Sequence, residues 1–108
     1  ISEARQNYRK ARELDPALAQ AHWNYCTTLA RESKLLESVD CYREVIRIFP
    51  NQVDAYFNLG VTYARLERWQ EAIDVWTRIL YLRPGYTAAE LNIQKVQGVL
   101  AEKPESSP

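Results

Sequence analysis

The sequence predicts an all-α fold, an α-solenoid of antiparallel helix pairs about six helices long. Three observations carry that expectation. Pro16, Pro50 and Pro84 are spaced by 34 residues both times, and a fixed period of roughly 20–50 residues marks a stacked repeat architecture. Sliding residues 19–50 onto 53–84 makes eight of 32 positions identical, among them Asn24/Asn58, Thr28/Thr62, Arg31/Arg65 and Asp40/Asp74. Within each period, apolar residues such as Trp69, Ile73, Trp76, Ile79 and Leu80 recur at steps of three and four, the spacing of a buried helix face.

The elements follow in order. Helices are predicted at roughly 2–14, 16–31, 34–48, 52–66, 69–82 and 86–100, with ends uncertain by about two to four residues. Asp15-Pro16 reads as N-cap and first helical position, because proline lacks only a donor that the first turn cannot use. The first unit breaks near Glu32-Ser33, with Ser33 as N-cap of the next helix, and the second breaks at Glu67-Arg68. Asn51 is placed to cap the helix that follows Pro50, and Thr87 with Glu90 has capping-box spacing.

Tyr56, Leu59, Gly60, Tyr63, Ala72, Trp76, Ile79 and Pro84 resemble the tetratricopeptide repeat pattern in its usual order and spacing. The resemblance implies a right-handed α-solenoid in which Gly60 and Ala72 are small where two helices cross, with Tyr63 and Trp76 filling the gaps beside them. The first unit departs from the pattern: Cys26 stands for the Gly, Leu29 for the Tyr, Ser38 for the Ala, and His22 at the first aromatic position. The expected division is the second helix of a truncated repeat at 1–18, a degenerate unit at 19–52, a full unit at 53–86, a capping helix at 87–101 and a disordered tail at 102–108. Gln94 and Gln97 take the positions of Gly60 and Tyr63, and polar residues there predict a solvated cap. The chain contains no Met and opens on Ile1, which predicts a processed or excised segment, with either more repeats upstream or self-association through the N-terminal end.

Composition excludes several classes. Lys plus Arg and Asp plus Glu both number 14, so the surplus of cations that phosphate binding requires is missing, and no nucleic-acid partner is expected. The short apolar runs predict no membrane insertion. One His and two Cys predict no metal site, and Cys26 and Cys41 read as reduced, small core residues. His22 reads as packing in the slot that Tyr56 fills one unit later. No phosphate loop or nucleophile elbow is present, so no catalytic residue and no cofactor are expected.

The resemblance places the first helix of each pair on the concave face, the family's usual ligand surface. Positions 2, 6, 9 and 13 of a unit share one stripe. They hold Gln20, Asn24, Thr27 and Arg31, then Asp54, Asn58, Val61 and Arg65, then Ala88, Asn92, Lys95 and Val99. Asn24, Asn58 and Asn92 recur at 34-residue intervals, and a carboxamide matches both the N–H and the C=O of a peptide backbone. The set resembles the asparagine ladder of peptide-binding tetratricopeptide proteins. A blander reading has each Asn bonding its neighbouring helix or capping local polar groups. Trp23 and Phe57 flank the ladder as groove or core residues, and Arg31, Arg65 and Lys95 are candidates for acidic groups or plain solvated charges. The family's clamp for chaperone C-terminal carboxylates uses lysines where this sequence has Trp23 and Ala88, so that function is not expected although Asn58 matches one clamp member. The expected function is a scaffold binding an extended segment of a protein or peptide partner. The alternatives are a substrate-recruiting arm of a larger enzyme, such as a glycosyltransferase, or a self-association and complex-assembly module.

Overall fold

A computed structural model describes residues 16–102. It is all-helical over that span: α1 (Pro16–Arg31), α2 (Leu35–Ile48), α3 (Val53–Arg65), α4 (Trp69–Leu82) and α5 (Thr87–Glu102). The helix expected at 2–14 lies outside the described residues. Each helix packs on the next, and α1 also packs against α3. The five helices thus form a solenoid of pairs, α1 with α2 and α3 with α4, and α5 follows on α4. No helix among the described residues is long and apolar enough to cross a membrane.

The pairing of α3 with α4 is set by one close approach. Trp76 is buried over Gly60, where an added Cβ would fall 2.1 Å from the indole Nε1. The indole N–H donates to the Phe57 carbonyl at 3.1 Å, so the ring's one polar atom is satisfied inside the pair. Leu59, Tyr63, Ala72 and Ile79 complete the seam, all buried. The Tyr56 hydroxyl donates to the Pro50 carbonyl at 2.9 Å, which ties the inter-repeat loop to the start of α3.

The α1–α2 pair solves the same crossing differently. Cys26 stands at Gly60's position and carries a Cβ. Cys26 and Cys41 are joined by a disulfide with Cα atoms 5.4 Å apart, contrary to the reduced cysteines expected from the sequence. The reason is register. Fifteen residues apart in sequence, the two lie opposite each other on antiparallel helices at a separation that a bridge requires. Ser38, fully buried, donates to the Cys26 carbonyl at 2.9 Å. Tyr42 takes Trp76's place, and its hydroxyl meets that of Thr27 at 2.6 Å.

Both turns inside the pairs share a backbone solution that the sequence reading missed. Ser33 (φ 63°) and Glu67 (φ 59°) are left-handed and 34 residues apart. The N–H of Lys34 bonds the Leu29 carbonyl and that of Ser33 the Ala30 carbonyl; Arg68 with Tyr63 and Glu67 with Ala64 repeat the pattern. These are Schellman closures of α1 and α3. Ser33 therefore ends α1 rather than capping α2, whose N-cap is Lys34 with no side-chain bond. Asn51 does not cap α3; Gln52 stands there, again without a side-chain bond. Thr87 lies inside α5 and its hydroxyl donates to the Gly85 carbonyl at 3.4 Å, so no capping box forms. The interior packing outweighs these missing caps, which are worth only about 1 kcal/mol each.

His22 is half-buried on α1. Burial holds its imidazole below the ordinary value of 6.5, while Glu44 pulls weakly the other way.

Three outcomes are expected. Gly60→Ala should destabilise the fold by about 1–3 kcal/mol through overpacking against Trp76, read by urea unfolding; an ordinary mid-helix glycine would give the opposite sign. Reducing the Cys26–Cys41 bridge should lower stability by roughly 2–4 kcal/mol, measured as the thermal midpoint with and without a dithiol. The depressed His22 value means that the unfolded chain takes up a proton that the folded chain refuses. That stability is fully present above about pH 6.5 and is lost as pH falls through the lower folded value. Replacing His22 with the matching residue of the next unit, His22→Tyr, should flatten the denaturation midpoint between about pH 7 and 5.

Candidate functional site

The stripe residues sit on α1, α3 and α5, the alternate helices of the solenoid. Asn24 is exposed, and Asn58 and Asn92 are half-buried. The backbone carbonyls of Asn24 and Asn58 accept the hydroxyls of Thr28 at 3.1 Å and Thr62 at 2.9 Å. These two threonines recur with the same period. The three carboxamides themselves have no hydrogen-bond partner among the described residues, so the bland role of bridging to a neighbouring helix is not the one they play in this conformation.

The remaining candidates divide. Thr27 is turned into the helix pair: its hydroxyl donates to the Trp23 carbonyl at 3.0 Å besides meeting Tyr42. Trp23 and Phe57 are half-buried against the core, and the Phe57 ring stands 6.4 Å from that of Trp76 at 40°. Arg31 is exposed. Arg65 reaches from α3 to the C-terminal end of α1, where its Nη1 donates to the Ala30 carbonyl at 3.1 Å. This bond answers orphan carbonyl capacity at a helix end, and no spacing rule in the sequence announces it. Lys95 is exposed and has no ion-pair partner among the described residues.

Five stripe positions converge. Val61 and Arg65 from α3, with Asn92, Lys95 and Val99 from α5, line one open cleft of about 390 Å³, and Trp69 and Trp76 of α4 also face it. Asn24, Asn58, Thr27, Arg31, Trp23 and Phe57 lie outside it. The two tryptophans were missed as lining residues because they belong to the second helix of the pair, which the concave-stripe rule leaves out. Gln94 and Gln97 on the other side of α5 are exposed.

A second cavity of about 430 Å³ lies between α2, α3 and α4. It mixes charges, with Arg43 and Arg78 facing Glu71 and Asp74 beside Tyr56 and Tyr63. Its neighbours are already paired: Arg68 with Glu71, Arg47 with Glu44, and the Arg68 guanidinium 5.0 Å over the Tyr63 ring. The first cleft is the less balanced one, since both its charged lining residues are cations.

Comparisons with known proteins bear on the fold. A family model described as TPR repeat matches residues 30–67, and one described as tetratricopeptide repeat matches residues 53–86. Against curated proteins the sequence has no match. Among solved structures, the fold is similar to the second TPR of Spaghetti (RPAP3) bound to the HSP90 peptide SRMEEVD, with 19% identity, TM-score 0.73 and coverage of 93% of this chain and 85% of that one. A MamA point mutant gives 21% identity, TM-score 0.69 and coverage of 100% and 79%. A tetratricopeptide repeat domain protein from Salinibacter ruber gives 20%, 0.61, and coverage of 79% and 97%.

Proposed function

We propose that this chain, which belongs to the tetratricopeptide repeat family, is a non-catalytic interaction module that holds an extended peptide segment along the face carrying Asn24, Asn58 and Asn92. The observation that supports it is the combination of recurrence and availability. Three carboxamides return every 34 residues on alternate helices, and all three are left with unspent donors and acceptors.

The physics of such a ligand is periodic. Helices packed roughly 8–10 Å apart space successive carboxamides by about three extended residues at roughly 3.3 Å each. Each carboxamide then meets a backbone N–H and C=O without reading the side chains between. Arg31, Arg65 and Lys95 serve acidic groups at the margins, and Trp23 and Phe57 offer partly exposed apolar surface. Thr27 contributes through Tyr42 by holding α1 on α2. The similar domain of Spaghetti carries an HSP90 peptide. Trp23 and Ala88 here stand where the carboxylate clamp would need lysines, so the proposed recognition is of backbone rather than of a chain terminus. Within this reading, residues 19–52 and 53–86 are the two binding units and 87–101 the cap that completes the second interval.

Three carboxamide contacts at about 0.5–1.5 kcal/mol each, with one or two aromatic contacts at about 1.5–3 kcal/mol each, set against the ordering of a flexible peptide, correspond to micromolar rather than nanomolar affinity. In a titration with extended peptides, the double variant Asn58→Ala, Asn92→Ala should bind about tenfold or more weakly than the parent chain. Equal affinity would remove the ladder from the mechanism.

A further inference from the structure

The two intervals between stripe helices are built unequally. Between α1 and α3, the Arg65 guanidinium crosses to the Ala30 carbonyl, and the Thr27–Tyr42 bond draws the side chain at position 9 inward. One period later Val99 stands where Arg65 does, and Val61 where Thr27 does. Neither valine can make the corresponding bond. The residue matching Tyr42 is Trp76, whose N–H is committed to Phe57. The second interval therefore lacks both of these bonds. The result is the cleft of about 390 Å³, within the roughly 300–1,000 Å³ of sites that hold small ligands.

From this asymmetry we infer that the α3–α5 cleft is an anchor pocket for one large apolar side chain of an internal peptide segment, with acidic residues flanking that anchor. The inference rests on the peptide-binding reading above and adds side-chain selectivity to it. Val61, Val99, Trp69 and Trp76 supply the apolar lining. Arg65 and Lys95 are its only charged members, so the field at the mouth favours carboxylates and disfavours a basic neighbour. Arg65 remains a donor through the guanidinium nitrogens that do not serve Ala30. A ligand of this kind registers on the ladder at the interval that holds the cleft.

The test uses short peptides, acetylated and amidated at their ends so that no terminal carboxylate is present. One carries Phe between Glu residues in a Ser/Gly background, one has Ala in place of Phe, and one has Lys in place of Glu. Binding is followed by calorimetry and by tryptophan emission, to which Trp69 and Trp76 report from the cleft. The Phe–Glu peptide should bind at least about tenfold more tightly than the Ala peptide. Val99→Arg, which restores Arg65's side chain one period on, should erase that preference without weakening the Ala peptide. Lys95→Glu, an exposed change that leaves the core untouched, should reverse the preference for Glu over Lys flanks; it decides the matter if the Val99→Arg chain loses its helical signal. An unchanged Phe preference in Val99→Arg and an unchanged charge preference in Lys95→Glu would overturn the inference. So would equal binding of all three peptides that Asn58→Ala, Asn92→Ala still weakens, and in that case the ladder stands alone. Absence of binding by every peptide would overturn both readings.

Discussion

The contact between Gly60 and Trp76 governs the rest of the architecture. With no side chain at Gly60, an indole lies directly against the backbone of α3, and its N–H finds the Phe57 carbonyl one turn earlier. Two helices can come this close only where one of them is bare. That closeness sets the crossing of α3 with α4, and the crossing sets where α5 is received. The direction in which Asn58 and Arg65 project from α3 follows from the same seat. The cleft between α3 and α5 borders that same contact, since Trp76 is one of its lining residues.

The first unit lacks that contact and compensates by chemistry rather than by shape. A Cβ at Cys26 prevents an indole from resting on α1, so a smaller aromatic, Tyr42, takes the place. The remaining hold is shared between a covalent bridge to Cys41 and two hydroxyl bonds, from Ser38 to the Cys26 carbonyl and between Thr27 and Tyr42. Cys26, Ser38 and Tyr42 stand where the second unit has Gly60, Ala72 and Trp76, and Cys41 and Thr27 bond to Cys26 and Tyr42. The unit that looks degenerate in sequence is a coordinated alternative.

This compensation draws on polar groups of the stripe. Thr27 is spent on the helix pair and Arg65 on the end of α1, which removes two polar groups from the first interval. The second interval, where valines take those positions, keeps its cavity and its free cation, Lys95. Repeat proteins add stability unit by unit, yet here the two intervals differ in their side-chain bonds because two side chains of the stripe changed class.

Much of this was legible without coordinates. The proline spacing, the helical apolar period and the pattern from Tyr56 to Pro84 determine an all-helical repeat, because burial on one face of a helix writes directly into local sequence. Helix ends were less legible: Ser33 and Glu67 adopt left-handed backbone that neither residue type advertises, since the closure depends on bonds to carbonyls three and five residues back. The pairing of Cys26 with Cys41, the reach of Arg65 to Ala30 and the contribution of Trp69 and Trp76 to the cleft belong to tertiary structure alone. Each joins residues on different helices at distances set by how those helices cross, and a crossing angle is a property of packed volumes, which no one-dimensional period records.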